Sequence, residues 1–191
     1  MSNLSNLGID IDGTITSPYE MLQYMQRDFD ATLEEEDFTE YDLSFLNKDE
    51  ETLRNWFLSI EEELYNNAKP VENAQSIMKY LTDNYNVHLI TARPKKWKDT
   101  TIQWLSENDI KYDTLDVIGS HNKVQTAKDR NVELFIEDNL INALYLNENL
   151  NIPILLIDTE YNQSYLPKGI TRVKDWNEIL DFIKFYEKNE V

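Results

Sequence analysis

The sequence contains no cysteine, and this absence excludes disulfide bonds and metal sites built from thiolates. It also lacks any apolar run near the ~20 residues that a membrane-spanning helix needs. Residues 1–6 do not have the basic start and the following apolar run of a secretory signal peptide. Together these absences favour a cytoplasmic protein with no membrane partner.

Positive charge is scarce as well. Lysine and arginine number 18 against 36 aspartates and glutamates, which gives a formal net charge of −18 at pH 7. Such a chain repels nucleic acid, and also phosphorylated small molecules, unless its cations are concentrated at one place. We therefore expect no nucleic-acid partner, and any phosphate site requires a local cation.

What the chain does have is a globular composition, with 41% hydrophobic and 12% aromatic residues among 191. Short apolar runs alternate with segments of helical periodicity, which indicates parallel βαβ units and an α/β fold with a doubly wound sheet. The predicted strands are residues 7–12, 87–92, 114–119, 134–138 and 152–158, and the predicted helices are residues 71–81, 95–108, 123–130, 140–150 and 176–187.

Residues 17–70 interrupt this alternation directly after the first strand. Their apolar side chains recur at helical spacing rather than at strand spacing. We therefore expect a helical cap over one edge of the sheet, so that residues 1–16 and 71–191 form the core. The clearest apolar stripe of the cap consists of Leu53, Trp56, Phe57, Ile60 and Leu64.

Acidic side chains end the first and the fourth of the predicted strands, at the edge where parallel sheets bind ligands. Asp10 and Asp12 share one face, because side chains two apart in a strand point the same way. Two such carboxylates need a cation or a shared proton, and Mg²⁺ suits them because it prefers oxygen ligands. Glu137 and Asp138 are candidates to complete the site. The alternative for each acid is capping of the turn or helix that follows.

Thr91 lies at the end of the second predicted strand, and Lys123 follows the third, at the same edge. The Thr91 hydroxyl and the backbone N–H of Ala92 would bind an anion at a helix N-terminus, although threonine is also a common N-cap. Lys123 opens a predicted helix, where a cation is unfavourable with the helix dipole. A role in the site is therefore an alternative to a surface position for this lysine.

In this order, the strand-end groups resemble the motifs of the haloacid dehalogenase (HAD) superfamily of aspartyl-phosphate phosphohydrolases. The stretch "DIDGTIT" matches the first motif, Thr91 the second, Lys123 the third and the Glu137–Asp138 pair the fourth, over nearly the whole chain. The insert looks like a type 1 cap. One departure is that the fourth motif usually begins with aspartate, whereas Glu137 carries one more methylene.

The resemblance implies a role for each of these residues. Asp10 would be the nucleophile that forms an aspartyl-phosphate, and Asp12 the general acid toward the leaving alcohol and then the base for water. Mg²⁺ is the implied cofactor. The implied phosphate contacts are Thr91, Ala92 and Lys123, and the implied metal ligands are Asp10, Asp12 (through its backbone carbonyl), Glu137 and Asp138.

Within the superfamily, the short chain and the stretches "TARP", "IEDN" and "TEYNQ" are similar to the 5′(3′)-deoxyribonucleotidase branch. This narrower resemblance implies a nucleoside monophosphate as the substrate. A phosphatase or phosphomutase for sugar phosphates would share every core residue and differ only in the cap. A non-catalytic binding protein is a third alternative, which only the Glu137 departure favours. The oligomeric state stays open, a homodimer included.

Cap aromatics are candidates to stack on a base. Phe38 and Tyr41 lie in an acidic connector, whereas Trp56 and Phe57 lie on the apolar stripe, where the alternative is a core position. Arg93 is a candidate to contact the phosphate or sugar of a substrate. We nevertheless favour a surface position for Arg93.

Overall fold

The computed structural model describes residues 4–189, and its centre is a six-stranded sheet whose paired strands all run parallel. The strand order is β3-β2-β1-β4-β5-β6, so the chain winds outward in both directions from the middle. This confirms the predicted doubly wound α/β fold. The strands are β1 (Asn6–Ile9), β2 (Asn86–Thr91), β3 (Thr114–Val117), β4 (Leu134–Glu137), β5 (Ile154–Ile157) and β6 (Ile170–Val173).

Helices cover both faces of the sheet. One hydrophobic cluster joins the strands to α3, α4 and α7, and a second joins them to α5 and α6. No helix among residues 4–189 is both long and apolar enough to cross a bilayer. The helices are α1 (Leu22–Asp28), α2 (Glu50–Asn67), α3 (Ala74–Asn84), α4 (Lys98–Glu107), α5 (Val124–Asp129), α6 (Leu140–Leu150) and α7 (Trp176–Asn189).

Strand β1 is shorter than its sequence pattern predicts and ends at Ile9. Asp10 and Asp12 therefore lie in the turn that follows, and the prediction that they share a strand face is wrong. The Ile11 carbonyl accepts hydrogen bonds from the backbone N–H groups of residues 14–16. This tight turn, rather than strand pleating, decides where the two carboxylates lie.

The sequence pattern does not predict β6. Ile170 and Val173 are buried, but Thr171 is exposed and Arg172 is partly exposed. The strand pairs only with β5, at the edge of the sheet. A strand in this place lacks the continuous apolar run that marks the central strands of a parallel sheet.

The segment between β1 and α3 contains α1, α2 and two short 3₁₀ turns. Its buried side chains, such as Trp56, form a hydrophobic cluster separate from those on the two faces of the sheet. The two ends of the segment lie side by side. Thr16 pairs with Pro70 in an antiparallel bridge, and the Val71 N–H donates to the Ile15 carbonyl at 2.9 Å.

Candidate active site

The turn after β1 packs against the end of β4. Gly13 adopts a left-handed backbone with φ of 77°, which residues with a Cβ rarely tolerate. A Cβ at this position would lie 2.4 Å from Asp138 Oδ2. The backbone conformation and the close approach to this carboxylate therefore both require glycine.

Asp10 is a buried carboxylate at the centre of the site. Its Oδ1 accepts a hydrogen bond from the Ile11 N–H at 2.7 Å, and its Oδ2 lies 2.7 Å from Lys123 Nζ. The pKa of Asp10 is raised to about 8: burial is the largest cause, Lys123 opposes it, and the charges of Glu137 and Asp12 add to it. Nearby positive charge is what favours the ionised form of such a group.

Lys123 supplies the local cation that the net charge of the chain demands. Its side chain is fully buried, with Nζ 2.7 Å from Asp10 Oδ2 and 3.0 Å from Glu137 Oε1. Burial lowers the pKa of Lys123, but the attraction of the two carboxylates outweighs burial and raises the pKa above its usual range. The surface alternative is therefore wrong for this lysine.

Glu137 and Asp138 supply two more buried carboxylates at the end of β4. Glu137 accepts hydrogen bonds from Asn142 Nδ2 at 2.7 Å and from the Asp138 N–H at 3.0 Å. Asp138 accepts from the Tyr161 hydroxyl at 2.6 Å and from the Thr14 hydroxyl at 3.3 Å. Burial raises the pKa of both carboxyls, to about 6 for Asp138. These bonds fix the direction of each side chain.

Asp10, Glu137 and Asp138 form a group that can hold a divalent metal. One carboxylate oxygen from each lies within 4.8 Å of the others, and all three residues are buried. Lys123 contributes one positive charge against three carboxylates, so a divalent ion would balance the remainder. Oxygen donors of this kind suit Mg²⁺. The Asp12 carboxylate is not part of this group, and the role of its backbone carbonyl stays a prediction.

Asp12 faces Arg93 instead. Arg93 Nε lies 2.9 Å from Asp12 Oδ2, and Nη2 lies 2.7 Å from Oδ1, so the guanidinium holds both oxygens. The Arg93 side chain is 0% exposed, whereas that of Asp12 is 40% exposed. The expected surface position of Arg93 is wrong because this bidentate pair offsets the burial of its charge. Arg93 is also among the residues that line the cavity described below, and a contact between its side chain and a substrate stays a prediction.

Thr91 is the last residue of β2, and both Thr91 and Ala92 line the cavity described next. The Thr91 hydroxyl accepts a hydrogen bond from the Arg93 N–H at 3.2 Å. Helical structure begins with a 3₁₀ turn at Lys95–Trp97 and continues as α4 from Lys98, so Thr91 lies in the chain ahead of this helix and not at its N-terminus. The predicted phosphate contacts therefore depend on a hydroxyl and loop N–H groups rather than on a helix dipole.

A cavity of about 760 Å³ lies between this edge of the sheet and the segment that carries α1 and α2. Trp56 is not among the residues that line it. Its ring lies 4.9 Å from that of Phe29, and its Nε1 donates to Asp28 at 2.9 Å, so the core alternative is correct for Trp56. The lining includes the carboxylates Asp10, Asp12 and Asp138 and the predicted aromatics Phe38, Tyr41 and Phe57.

Two residues that support the site were missed by sequence reasoning. Tyr161 lies in a 3₁₀ turn after β5 and bonds Asp138. The neighbouring Asn162 donates from Nδ2 to the carbonyls of Asp138 and Ile157, at 2.8 and 2.7 Å. A signal was present, because both follow a predicted strand at the same edge of the sheet.

Residues 4–189 match the family model described as 5′ nucleotidase, deoxy (pyrimidine), cytosolic type C protein (NT5C). The chain belongs to this family. A nucleotidase from Clostridium acetobutylicum is 35% identical over 187 residues, which cover 97% of each chain. The Bacillus subtilis protein YqfW, also named as a nucleotidase, is 34% identical over 178 residues, or 93% of this chain and 92% of its own.

The fold of this nucleotidase family member also occurs among solved structures. A HAD-superfamily hydrolase of subfamily IA from Geobacter sulfurreducens matches with a TM-score of 0.63 at 17% identity, over 94% of this chain and 100% of its own. The family makes the chain a phosphatase that acts on a small phosphorylated substrate, and its fold is one that HAD-superfamily hydrolases share. The alternative of a non-catalytic binding protein is therefore not supported.

Proposed function

We propose that this protein is a Mg²⁺-dependent 5′(3′)-nucleotidase that hydrolyses nucleoside or deoxynucleoside monophosphates through a phosphorylated aspartate. The observation that carries the proposal is the position of Asp10. Its carboxylate lies 2.7 Å from Lys123 Nζ, beside two further carboxylates, and it lines a cavity large enough for a small substrate.

In the first step, an oxygen of the Asp10 carboxylate attacks phosphorus, and the ester P–O bond breaks. The leaving oxygen keeps the bonding electrons and takes a proton from Asp12, which lets a poor leaving group depart. Lys123, the Thr91 hydroxyl and the Ala92 N–H are proposed to hold the phosphoryl oxygens, where positive charge and donors stabilise the transition state.

In the second step, water attacks the phosphorus of the aspartyl-phosphate. Asp12, now a carboxylate, accepts a proton from that water, and the bond between Asp10 and phosphorus breaks to release inorganic phosphate. The 40% exposure of the Asp12 side chain supports this role, because the base has to meet water that enters the cavity.

Asp10, Glu137 and Asp138 are the residues proposed to hold Mg²⁺, together with the Asp12 backbone carbonyl. When bound, the ion supplies positive charge that reduces repulsion between the acidic site and the anionic substrate. Glu137 departs from the aspartate usual in this motif, yet its carboxylate lies in the same buried group as the other two. We therefore propose that Glu137 and Asp138 both contribute.

Residues 17–70 are proposed to act as a cap that selects the substrate, on a core of residues 1–16 and 71–191. The cap contributes the aromatic side chains of Phe38, Tyr41 and Phe57 to the cavity lining. Aromatic rings contact a nucleobase favourably over a large flat area. Tyr41 and Phe57 are our first candidates for the base contact, because Phe38 is only 1% exposed and would have to move to reach a base.

The experiment compares phosphate release from deoxynucleoside, ribonucleoside and sugar monophosphates, with Mg²⁺ or with EDTA. We expect nucleoside monophosphates to be the faster substrates, and EDTA to abolish turnover. The Asp10→Asn variant should lose about 10³-fold or more of the wild-type rate, since the nucleophile is gone. Asp181→Asn, at an exposed aspartate of α7, is the matched control and should keep the wild-type rate.

Two results would contradict the proposal. Undiminished turnover by Asp10→Asn would remove the nucleophile from the mechanism. Faster turnover of sugar phosphates than of every nucleoside monophosphate would leave the phosphatase chemistry intact but exclude the nucleotidase assignment.

A further inference from the structure

All three guanidinium nitrogens of Arg93 donate hydrogen bonds to other side chains. Nε and Nη2 bond the two oxygens of Asp12, and Nη1 donates to the Thr101 hydroxyl at 3.2 Å. Its guanidinium carbon lies 4.3 Å from the centre of the Tyr65 ring and 5.6 Å from the Trp104 ring. The Arg93 side chain is 0% exposed, so in this arrangement its guanidinium is surrounded by protein groups.

We propose that Arg93 is a positioning residue that holds the Asp12 carboxylate, through both of its oxygens, at the wall of the cavity, where the leaving oxygen of the substrate needs a proton. The proposal rests on the proposed role of Asp12 as the general acid. Arg93 acts only through Asp12 and touches no reacting atom.

The shape of the contact argues for positioning. A planar guanidinium that bonds both oxygens fixes the orientation of a carboxylate, whereas a lysine ammonium at the same place would act as a point charge. The guanidinium is itself immobilised on three sides, by Thr101 and Trp104 of α4 and by Tyr65 of α2. A displacement of about 1 Å in a catalytic group can cost ~100-fold in rate, so such a support has a measurable consequence.

Arg93 also connects Asp12 to the proposed cap. Tyr65 belongs to α2, which lies in the segment proposed as the cap. A second contact between this segment and the core is made three residues beyond Arg93. Lys96 Nζ lies 2.6 Å from Glu61 Oε2, and Glu61 is a buried residue of α2. The position of the Asp12 carboxylate is thus defined by contacts with both the core and the segment proposed as the cap.

The test uses two substrates that differ in their need for a proton. A deoxynucleoside monophosphate releases a poor, alcoholic leaving group, whereas p-nitrophenyl phosphate releases a phenolate that is stable without protonation. The measured quantity is kcat/KM, because it includes only the steps up to loss of the leaving group. Each variant is first checked for a cooperative thermal unfolding transition.

Arg93→Lys keeps the charge and removes the two-point contact. We expect kcat/KM to fall by about 100-fold with the nucleotide and by less than about threefold with p-nitrophenyl phosphate. Arg130→Lys is the matched control, because Arg130 makes a similar two-point contact with Asp116 away from the cavity. It should change neither value. An equal fall with both substrates, or no fall, would overturn the proposal.

Asp12→Asn separates this proposal from the proposed function. We expect it to lower kcat/KM selectively with the nucleotide, and Arg93→Lys added to Asp12→Asn should cause no further loss. If Asp12→Asn is selective and Arg93→Lys is not, only the positioning role fails. If Asp12→Asn affects both substrates equally, the general-acid role fails and the positioning role fails with it.

Thr101→Val tests the proposal if Arg93→Lys does not fold. Valine is close in shape to threonine but lacks the hydroxyl that accepts a hydrogen bond from Arg93 Nη1. Because one hydrogen bond is worth about 1 kcal/mol, we expect a fall of about threefold to fivefold with the nucleotide alone. An unchanged kcat/KM with both substrates would overturn the proposal.

Discussion

The two walls of the cavity hold their side chains in different ways. On the edge of the sheet, Asp10 and Asp138 have charged or hydrogen-bonded partners at 2.6 to 3.3 Å. On the opposite wall, Phe38 and Tyr41 meet the Tyr161 ring at 5.4 and 5.5 Å between ring centres. Short polar contacts fix direction, whereas ring contacts tolerate shifts. We therefore expect substitutions at the sheet edge to change the chemistry and those opposite to change selectivity.

Lys123→Met should have the largest effect among substitutions outside the nucleophile. It removes the cation between two buried carboxylates, and we expect kcat to fall by about 10²–10³-fold. Stability should fall by about 3–5 kcal/mol because the remaining charges are buried without a partner. Lys128→Met, on the same helix but exposed, should change neither quantity. Steady-state kinetics measure the first quantity and thermal unfolding the second. A fully active Lys123→Met variant would contradict the expectation that substitutions at the sheet edge change the chemistry.

Gly13→Ala tests the close approach of the turn to Asp138. We expect Mg²⁺ binding, measured by calorimetry, to weaken by up to about 100-fold, because the added methyl displaces a carboxylate of the metal group. The backbone cost of the left-handed conformation adds about 1–2 kcal/mol of instability.

Gly119→Ala is the matched control for Gly13→Ala. Gly119 has φ of 69°, but a Cβ there would find its nearest atoms at 3.7 Å. It should lose similar stability and keep Mg²⁺ affinity. Equal Mg²⁺ affinities for the two variants would show that the contact with Asp138 has no role in metal binding.

Tyr161→Phe should have an intermediate effect. It removes the hydroxyl that donates to Asp138 at 2.6 Å and keeps the ring that contacts the opposite wall. Outer partners of metal ligands contribute about tenfold or more to affinity, so we expect Mg²⁺ binding to weaken by about tenfold. Tyr165→Phe, at an exposed tyrosine nearby, should bind Mg²⁺ as the wild type does. An unchanged or stronger affinity in Tyr161→Phe would contradict the expectation.

Phe57→Ala should have the smallest effect on rate and the clearest effect on substrate choice. Because stacking on a base is worth about 1 kcal/mol or more, we expect KM for a nucleoside monophosphate to rise about fivefold with kcat unchanged. Its neighbour Trp56→Ala, inside the core of the segment, should instead lower stability by about 3 kcal/mol and leave KM unchanged. Steady-state kinetics and thermal unfolding of the two variants check this. A raised KM in Trp56→Ala together with an unchanged KM in Phe57→Ala would contradict the comparison of the two walls.

The sheet and much of the site could be predicted from the sequence because parallel strands bring all their carboxyl ends to one edge. A residue just past a predicted strand is placed by that rule alone, and this was sufficient for Asp10, Thr91, Lys123 and the Glu137–Asp138 pair. Sequence spacing therefore predicts where a side chain lies when the end of a strand determines the position of that residue.

The rest depended on side-chain partners distant in the sequence. Nothing local indicates that Arg93 is buried, since its partner Asp12 lies 81 positions earlier. The direction of Asp12 was equally hidden, because it follows from where β1 ends and how the turn folds at Gly13. Trp56 and Phe57 occupy adjacent helical positions, and only tertiary packing decides which of them reaches the cavity.

The stereochemical course at phosphorus tests the central claim most directly. The substrate is a nucleoside phosphorothioate made chiral with oxygen isotopes, and the configuration of the released thiophosphate is determined. Transfer to Asp10 followed by transfer to water comprises two in-line displacements, so the account predicts net retention of configuration. Net inversion would mean that water attacks the substrate directly, which would contradict a covalent role for Asp10.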